Sequence, residues 1–360
     1  MRPRLYAVFR CDAGVALGGG HLRRCLTLAE ALAANGWRIA FAVRPETLAF
    51  LPRDLALQPD WIVLDAVEEH EPAVMAARVG AAGADLLVVD HYRRDRRFEA
   101  ACRRFALRIA VIDDLADRPH DADLLLDQTF GRSERDYAGL VSRRCVTLCG
   151  SGCALLRSAF AEMREPALNR RRQGRPVGRV LIGMGATDAD DLTSLAVAAV
   201  GLVSERLGRP FTLEVVLGAG APHLDALRRR LSGFPAWSIH VDASGRAMAR
   251  LMASADLAIG AAGTTSWERC CLALPTVCVV AAENQAKIAA ELAAVGACHV
   301  AAAGAPEGLA AAVGALCRDD GARLAMAEAA AAVCDGAGTG RVVGAIEAMV
   351  AAAPAEAVPA

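Results

Sequence analysis

Residues 18–35 read Gly-Gly-Gly-His-Leu-Arg-Arg-Cys-Leu-Thr-Leu-Ala-Glu-Ala-Leu-Ala-Ala-Asn, and this stretch indicates the fold of the chain. Three glycines lead to His21, and from there apolar residues recur at the spacing of one helix face. Residues 5–9 form an apolar run typical of a strand, and Asn35-Gly36 predicts the end of the helix. The predicted order is strand, glycine-rich loop, histidine and helix.

This order predicts a ligand-binding loop. Glycines let a ligand approach the backbone, and the start of a helix offers free N–H groups and partial positive charge. The positive end disfavours an imidazolium, so we expect His21 to stay neutral and able to accept a proton. The pattern leaves one alternative open, a glycine turn that carries a surface histidine.

The composition favours a two-domain protein that does not bind nucleic acid. A length of 360 residues exceeds what one hydrophobic core usually serves. The formal net charge of −1 gives no support for nucleic-acid binding. We interpret the basic run Arg93-Arg94-Asp95-Arg96-Arg97 as a solvated helix face, because acids are interleaved with its arginines.

Twelve cysteines occur without a Cys-x-x-Cys pair. Cys145, Cys149 and Cys153 are spaced by four, which hints at a metal site. Glycine interrupts this stretch, however, and no histidine lies at ligand spacing. We therefore predict no metal and no cofactor, and free thiols in a reducing cytoplasm.

From the sequence we expect no signal peptide and no membrane span. Arg10 and Asp12 interrupt the early apolar run, and charged residues and a proline divide the alanine-rich region 288–316 into short pieces. We expect a soluble cytoplasmic protein that is a monomer, with residues 351–360 as a flexible tail.

Strand-like and helical runs alternate along the chain, which predicts an α/β fold with doubly wound parallel sheets. The predicted strands are 5–9, 38–43, 61–64, 85–89, 108–112, 123–126, 145–148, 179–183, 211–217, 238–241, 256–259, 276–280 and 298–301. The predicted helices are 21–35, 71–82, 95–105, 190–204, 222–231, 245–254, 266–273, 285–295, 307–317, 320–334 and 340–350. Several strands end in polar residues, at the edge where open α/β sheets bind ligands.

Residues 166–178 are rich in proline, arginine and glycine, and they interrupt the alternation. We therefore predict an N-terminal Rossmann-like domain over 1–165, a linker over 166–178 and a C-terminal Rossmann-like domain over 179–350. Two such domains are expected to face each other across a cleft.

A dinucleotide fingerprint is the first candidate motif, and the sequence argues against it. Arg23 stands where the third glycine of Gly-x-Gly-x-x-Gly should be. The second strand also ends in Ala42-Val43-Arg44-Pro45, without the acid that binds the ribose of NAD. We therefore reject nicotinamide binding.

The second domain holds two glycine-rich junctions between a strand and a helix. Residues 183–188 read Gly-Met-Gly-Ala-Thr-Asp, and residues 260–268 read Gly-Ala-Ala-Gly-Thr-Thr-Ser-Trp-Glu. Backbone amides and hydroxyls at such a junction can bind a diphosphate, and the Glu268 carboxylate can accept hydrogen bonds from a ribose. The alternative is a capping box of Thr265 and Glu268 that only starts the helix.

Asp113-Asp114 is a candidate metal-binding pair, but neighbouring residues of an extended chain point to opposite sides. We therefore prefer loop capping as the role of these carboxylates.

Two Rossmann-like domains with a nucleotide loop in the second resemble the GT-B glycosyltransferase architecture. A further set of motifs occurs in consistent order over residues 5–300: Arg10-x-Asp12, Gly18-x-Gly20-His21-x-x-Arg24, Val88-Val89-Asp90-His91-Tyr92, Ile112-Asp113-Asp114-Leu115, Gly152-x-Ala154-Leu155-Leu156-Arg157, Met184-Gly185-Ala186-Thr187-Asp188, Ala262-Gly263-Thr264-Thr265-Ser266-Trp267-Glu268 and Glu283-Asn284-Gln285. Together these motifs resemble the UDP-sugar hydrolase family of pseudaminic acid biosynthesis. The pattern departs from the family at Ala186, where glycine is common, and at Arg93-Arg94, beside Tyr92, where smaller or apolar residues are usual.

The resemblance implies a role for individual residues. His21 would be the catalytic base, and Arg10, Asp12, Gly20, Tyr92, Arg157 and Asn284 would bind the sugar or its leaving phosphate. The nucleotide and its diphosphate would be bound by Gly185, Thr187, Gly263, Thr264, Thr265, Glu268 and Glu283. No metal ligand is implied.

The implied reaction is the hydrolysis of UDP-2,4-diacetamido-2,4,6-trideoxy-β-L-altropyranose to the free sugar and UDP, in pseudaminic acid or related nonulosonate biosynthesis. Such sugars serve flagellin glycosylation and surface polysaccharides. We expect water, deprotonated by neutral His21, to attack the anomeric carbon while UDP leaves from the opposite face, with inversion. Loop amides and a helix dipole can stabilise the diphosphate without a metal.

Two alternatives stay open at this point. A GT-B glycosyltransferase would pass the sugar to an acceptor, for which the run at residues 93–97 is the candidate surface. A nucleotide-sugar-binding protein without turnover is the other, although such a protein has no use for a base at the anomeric carbon.

Overall fold

The structure is a computed structural model that describes residues 4–352 apart from 15–16, 53–54, 186–187, 189, 219–220, 222 and 303. The chain divides into two compact units. The first comprises Met1–Leu155 and Ala337–Ala360, and the second comprises Leu156–Gly336. Most of the predicted tail, residues 353–360, lies outside the described residues.

The first unit is built on seven parallel strands, as the alternation of the sequence predicts. The strands are β1 (Tyr6–Cys11), β2 (Arg38–Val43), β3 (Asp60–Val63), β4 (Ala84–Asp90), β5 (Ala106–Ile112), β6 (Leu124–Asp127) and β7 (Val146–Cys149). Their order in the sheet is β3-β2-β1-β4-β5-β6-β7. The first helices are α1 (Gly20–Ala34), α2 (Glu71–Val79) and α3 (Arg96–Cys102).

Helices cover both faces of this sheet, as two separate apolar clusters show. Phe9 of β1 packs in a cluster with residues of α1, and its ring stacks on Phe41 of β2 at 4.9 Å. The neighbouring Val8 points to the opposite face, where Met75 of α2 and Phe98 of α3 lie. Because strands buried on both faces are apolar throughout, β1 reads as a continuous apolar run.

The second unit contains six parallel strands. They are β8 (Arg179–Gly183), β9 (Thr212–Leu217), β10 (Ala236–Val241), β11 (Leu257–Ala261), β12 (Thr276–Val279) and β13 (His299–Ala301), in the order β10-β9-β8-β11-β12-β13. Its helices are α4 (Ser158–Arg172), α5 (Leu192–Leu207), α6 (Leu224–Leu231), α7 (Gly245–Ser254), α8 (Thr265–Cys271), α9 (Ala286–Ala294), α10 (Pro306–Arg318) and α11 (Asp320–Val333).

Each sheet reverses its strand order at one point. In the first unit the reversal lies between β1 and β4, and in the second it lies between β8 and β11. Ligands of open α/β sheets bind outside the carboxyl ends of the strands at such a point. The glycine-rich loops singled out from the sequence follow β1, β8 and β11, so each of them lies beside a reversal point.

The predicted domain boundary at the C-terminus is wrong. Helix α12 (Gly338–Ala351), which the prediction placed in the C-terminal domain, belongs to the first unit. Ile346 of α12 is fully buried in the same apolar cluster as Leu28 of α1. The chain enters α12 through Gly338, where a Cβ would lie 2.4 Å from the Ala154 carbonyl oxygen, so only glycine fits.

The predicted linker is also largely wrong. Residues up to Arg172 continue α4, in spite of Pro166 inside the helix. Arginine side chains tie this helix to the second unit: Arg164 donates hydrogen bonds to the carbonyl oxygens of Cys271, Ala331 and Cys334 at 2.6–2.9 Å. These tertiary hydrogen bonds override the local signal of proline and charge.

Two further findings concern the described part of the chain. No helix there combines the length and the apolar character that a bilayer span requires. All twelve cysteines are free, and most of them, including Cys25 and Cys278, are buried.

The packing of α12 leads to a prediction. We expect Ile346→Ala to lower the free energy of unfolding by about 2–5 kcal/mol, because it leaves a cavity against α1. Leu107→Ala, at a side chain that is 49% exposed on β5, is the matched control and should cost less than about 1 kcal/mol. Urea unfolding gives both values. Hydrogen exchange should accelerate in α1 amides; acceleration confined to the second unit would contradict the assignment of α12.

Candidate functional site

The candidate site of the first unit lies where β1 and β4 run side by side. Cys11, the last residue of β1, pairs in register with Asp90, the last residue of β4. The chain leaves β1 through Asp12 and enters α1 at Gly20, and His21 is therefore in the first turn of that helix. Gly19 caps the helix without a side-chain hydrogen bond, so the first N–H groups of α1 have no side-chain acceptor at the cap.

His21 is bound to Asp90, a residue that the sequence analysis quoted but did not place in the site. The His21 Nδ1 atom lies 2.6 Å from the Asp90 Oδ1 atom, and both side chains are buried. An ionised carboxylate only accepts hydrogen bonds, so Nδ1 carries the hydrogen of this contact, and in the neutral ring Nε2 is then the nitrogen with the lone pair. The Tyr92 ring contacts the imidazole edge-on, with the ring centroids 4.5 Å apart.

Arg24 holds Asp90 in the ionised state. Its Nε and Nη2 atoms each donate a hydrogen bond of 2.6 Å to the two oxygens of Asp90, and Nη1 donates at 3.1 Å to Asp114. Burial alone would raise the pKa of Asp90, but Arg24 and His21 together hold this pKa well below its ordinary value. The signal in the sequence was the spacing: His21 and Arg24 lie three apart, on one face of α1.

The structure corrects the role predicted for Arg10. This side chain is fully buried and donates two hydrogen bonds, of 2.9 and 3.0 Å, to the buried Glu71. It also pairs with Asp12 at 2.8 Å. Because no part of Arg10 reaches the surface, we assign it to holding Asp12 in place rather than to binding a substrate.

Asp12 is itself saturated with partners. Its Oδ1 atom accepts from the backbone N–H of Arg44 at 2.8 Å, and Oδ2 lies 3.3 Å from His91 Nε2. The other ring nitrogen of His91 accepts from the backbone N–H of Arg93. Asp12 therefore joins the ends of three neighbouring strands, and only a small part of it is exposed.

The interpretation of Arg93–Arg97 as a solvated face fails at Arg94. Arg94 is buried and donates to both oxygens of Glu71 at 2.9 Å, while it also pairs with Glu68. Its neighbour Arg93 is exposed and pairs with the other oxygen of Glu68. Arg94, one of the departures from the family pattern, is thus part of an ion-pair network with Glu71, and Glu71 also binds Arg10 of β1.

The carboxylates of Asp113 and Asp114 have separate partners. Asp113 accepts from the backbone N–H of Ala116 at 2.8 Å and from the Tyr137 hydroxyl at 2.9 Å, which confirms its predicted role in capping the loop. Asp114 instead accepts from Arg24. Within the described residues no group of three or more His, Cys, Asp or Glu side chains is arranged to hold a metal ion.

In the second unit, Arg269 shapes the loop between β11 and α8. It donates to the carbonyl oxygen of Ala261 at 2.8 Å, to the Ser266 hydroxyl at 3.0 Å and to the Thr265 hydroxyl at 3.1 Å. A Cβ on Gly260 would lie 2.7 Å from the Arg269 guanidinium, so the turn requires glycine there. Gly263 and Thr264 complete the turn, and Thr264 makes no side-chain cap.

The capping-box alternative is wrong, because Glu268 does not reach back to the start of its helix. Its Oε1 atom instead accepts a hydrogen bond of 2.8 Å from Arg157. The second oxygen, Oε2, is buried and has no partner among the described residues. The Arg157 guanidinium lies over the Phe160 ring. Its side chain also packs against Gly245, where a Cβ would lie 2.7 Å from the Arg157 Cδ atom. Two predicted site residues, Arg157 and Glu268, are thus brought together.

The remaining predicted nucleotide residues lie near the same sheet edge. Gly185 follows β8 with a positive φ of 98°, a conformation that favours glycine. Glu283 is exposed in a short 3₁₀ turn after β12, and the next residue but one, Gln285, lies 3.9 Å from a Cβ placed on Gly263. The prediction did not include Gln285. Thr187 and the side chain of Asn284 lie outside what the structure describes.

Comparisons with known proteins agree with the motifs. Residues 179–338 match the family described as glycosyltransferase family 28 C-terminal domain. The chain is 25% identical over 229 residues to the UDP-2,4-diacetamido-2,4,6-trideoxy-beta-L-altropyranose hydrolase of Campylobacter jejuni, which covers 62% of this chain and 73% of that protein. It is 24% identical over 277 residues to the spore coat polysaccharide biosynthesis protein SpsG of Bacillus subtilis, which covers 76% of this chain and 77% of that protein.

Among solved structures, MurG of Acinetobacter baumannii matches with a TM-score of 0.62 and 16% identity, over 96% of this chain and 100% of that chain. The predicted resemblance to the hydrolase family is therefore confirmed, and so is the fold class: two Rossmann-like α/β domains of the GT-B type. At this level of identity the structural match carries the fold alone.

The Asp12–His91 contact leads to a prediction about pH. Burial lowers the pKa of His91 below its ordinary value of 6.5; Asp12 opposes this effect, and Arg10 and Arg94 add to it. The unfolded chain therefore binds this proton more readily, so stability is full above about pH 6.5 and decreases as the pH falls below it. We expect the free energy of unfolding to lose up to about 1.4 kcal/mol per pH unit there.

The variant His91→Gln removes this titration. Urea unfolding at a series of pH values, from about 7.5 down to about 5, should give a flatter profile for the variant than for the wild type. Parallel profiles would contradict the account of His91, and circular dichroism at neutral pH verifies that the variant folds.

Proposed function

We propose that the chain is a metal-independent hydrolase of a UDP-linked sugar, which cleaves the bond between the anomeric carbon and the diphosphate oxygen. The observation that carries the proposal is the hydrogen bond from His21 to Asp90, which leaves Nε2 able to accept a proton in the first turn after the glycine-rich loop. The match to a UDP-sugar hydrolase of Campylobacter jejuni supports the same reaction.

The proposed substrate is UDP-2,4-diacetamido-2,4,6-trideoxy-β-L-altropyranose, the sugar named in that relative. The pathway we propose is the biosynthesis of pseudaminic acid or a related nonulosonate, for flagellin glycosylation or a surface polysaccharide. The match to a spore coat polysaccharide biosynthesis protein supports a pathway of this kind.

In the proposed mechanism, water attacks the anomeric carbon and its proton passes to His21 Nε2. Asp90 accepts the Nδ1–H hydrogen bond throughout and stabilises the imidazolium that forms, while Arg24 keeps Asp90 ionised. The electron pair of the broken bond leaves with UDP, on the opposite face of the sugar. Tyr92, in edge contact with the imidazole, and Gly20, at the start of α1, are the proposed neighbours of the sugar.

The diphosphate and the uridine are assigned to the second unit. We assign the diphosphate to the backbone amides and hydroxyls of Gly263, Thr264 and Thr265, which Arg269 holds in a turn at the start of α8. The unpartnered Glu268 Oε2 is the proposed acceptor for a ribose hydroxyl. A buried acceptor without a partner costs free energy, so a ligand that supplies a hydroxyl there gains affinity.

Five more residues belong to this proposal. Arg157, which orients Glu268, is assigned to the nucleotide as well. Gly185 offers its backbone beside the diphosphate, and Glu283 and Asn284 contact the nucleotide and the sugar. Thr187 is assigned to the diphosphate on its motif alone.

The second candidate is a GT-B glycosyltransferase that passes the sugar to an acceptor. The match of residues 179–338 to a glycosyltransferase family favours it. The candidate acceptor surface is weaker than the sequence implied, because Arg94 points into the core.

One assay tests the proposal. Incubation with the UDP-diacetamido sugar and EDTA, without any acceptor, should release UDP and free sugar in equal amounts. In ¹⁸O-labelled water the label should enter the C1 hydroxyl of the sugar and not UDP, because water attacks the carbon. Tight UDP binding without release would favour the binding protein, release only after addition of an acceptor would favour the transferase, and loss of activity with EDTA would contradict metal independence.

Matched variants locate the base in the same assay. His21→Asn should lower turnover by about 10²–10⁴-fold while UDP affinity changes little. Asp90→Asn should also lower turnover and change its pH profile, since it acts through His21. Asp127→Asn, at another buried carboxylate that ends β6, is the control and should retain turnover. Near-native turnover of His21→Asn would show that His21 is not the base.

A further inference from the structure

The second unit contains an arginine-lined pocket at the amino ends of its strands, opposite the carboxyl ends where the glycine-rich loops lie. The glycine-rich loops follow the carboxyl ends of β8 and β11, whereas Asp256 and Pro275 of this pocket precede the amino ends of β11 and β12. The pocket is a small recess with a cavity volume of about 30 Å³. Its lining includes four arginines and two carboxylates: Arg170, Arg171, Arg175, Arg323, Asp256 and Asp320.

The positive charge of the pocket exceeds its negative charge. Arg170 pairs with Asp256 at 2.5 Å, and Arg323 pairs with Asp320 at 2.5 Å. Arg171 has no carboxylate partner among the described residues, since its recorded hydrogen bonds go to backbone carbonyl oxygens such as that of Met252. Arg175 is exposed, and its guanidinium has no recorded partner among the described residues. Two arginines are thus left without a counter-charge.

The pocket also contains hydrogen-bond donors that are left unused. The Nε atom of Arg170 is buried and lacks a partner among the described residues. Asp256, which pairs with Arg170, is already occupied by the backbone N–H groups of Gly178 and Arg179 at 2.9 and 2.8 Å. A buried donor without an acceptor is unfavourable, and an anion in the recess would supply an acceptor beside the two arginines that lack a counter-charge.

The state of Arg171 agrees with this excess of positive charge. Burial lowers the pKa of Arg171 to about 10; the nearby Asp256 opposes the shift, and Arg170 adds to it. A bound anion would stabilise the charged form of such a guanidinium.

We propose that this pocket binds a small anion that carries a phosphate group, at a site separate from the proposed nucleotide site. Guanidinium groups form paired hydrogen bonds with phosphate oxygens, and several guanidinium groups converge on this recess. Arg175 at the mouth and Arg170 with its free Nε are the groups assigned to the phosphate. The small size of the recess favours a single phosphate group over an extended polyanion.

The test measures the binding of inorganic phosphate by isothermal titration calorimetry and by the shift in the temperature of thermal unfolding. Sodium chloride at equal ionic strength is the reference for both measurements. Saturating UDP is present, so that phosphate cannot report on the loops of the proposed nucleotide site. The wild type should bind phosphate, and Arg175→Ala and Arg170→Gln should each weaken it at least about fivefold. Asp256 keeps two backbone donors in Arg170→Gln, so this variant should fold.

Arg229→Ala is the matched control, because Arg229 is exposed on α6 and does not line the pocket. It should bind phosphate as the wild type does. Equal affinity in Arg175→Ala and Arg170→Gln, or no stabilisation beyond that of chloride, would overturn the proposal. Turnover of the UDP-sugar is measured separately, so failure of this site and failure of the proposed function are distinguishable.

A phosphate group can come from a free metabolite or from a lipid headgroup. Sedimentation with phosphatidylcholine vesicles, with and without phosphatidic acid, separates these sources. Binding of free phosphate without sedimentation assigns the pocket to a metabolite. Sedimentation that requires phosphatidic acid and is lost in Arg175→Ala assigns it to a lipid headgroup.

Discussion

The Asp90 carboxylate, shared between His21 and Arg24, is the interaction on which the candidate site depends. It lies at the last residue of β4, in register with the end of β1, so the sheet itself fixes its position. A buried carboxylate is unfavourable unless it is paired, and Arg24 supplies two hydrogen bonds of 2.6 Å to it. Removal of one partner from such a buried pair costs about 3–5 kcal/mol. The ionised Asp90 in turn fixes the tautomer and the orientation of His21.

The two units use the same topology for different chemistry. In the first unit the strand ends at the reversal point carry the carboxylates of Asp12 and Asp90. Arg10 of β1 pairs with Asp12, and Arg24 of α1 pairs with Asp90. In the second unit the corresponding ends carry glycine and hydroxyl residues. Arg269 stabilises the loop there by donating hydrogen bonds to the Ala261 carbonyl oxygen and the Thr265 hydroxyl. The first arrangement suits proton transfer, and the second suits the binding of a diphosphate by backbone N–H groups.

The sequence predicted the strands and most of the helices, because their signals are local. The exception is α4, whose second half carries a proline and a run of arginines and was predicted as a linker. Apolar runs of four to seven residues between helical repeats predicted every strand of both sheets within a few residues. Contacts between distant parts of the chain were not predicted. Helix α12 returns to the first unit because Ile346 packs in the same apolar cluster as α1. The hydrogen bond from Asn35 to Glu347 in this region joins residues that are 312 positions apart in the sequence. Nothing in the periodicity of α12 states which core it joins.

The same limit applies to charged residues of the site. The motif at Arg10 suggested substrate binding and the basic run at Arg94 suggested a solvated helix face. Both arginines are instead buried with Glu71, an acid that is 61 residues from Arg10. The pairing of His21 with Asp90 spans 69 residues and required the strand order of the sheet. The motifs alone indicated which residues belong to the site. The topology was needed to distinguish residues that are placed to contact a ligand from residues that position other side chains.

The tautomer of His21 tests this account most directly. Nitrogen-15 NMR of the histidine-labelled protein, with His21→Asn used to assign the signal, distinguishes the two nitrogens of the ring. The account predicts that Nδ1 carries the hydrogen and that Nε2 is the lone-pair nitrogen, and that Asp90→Asn disturbs this preference. A neutral His21 with the hydrogen on Nε2 would contradict it, because that nitrogen could not accept a proton from water.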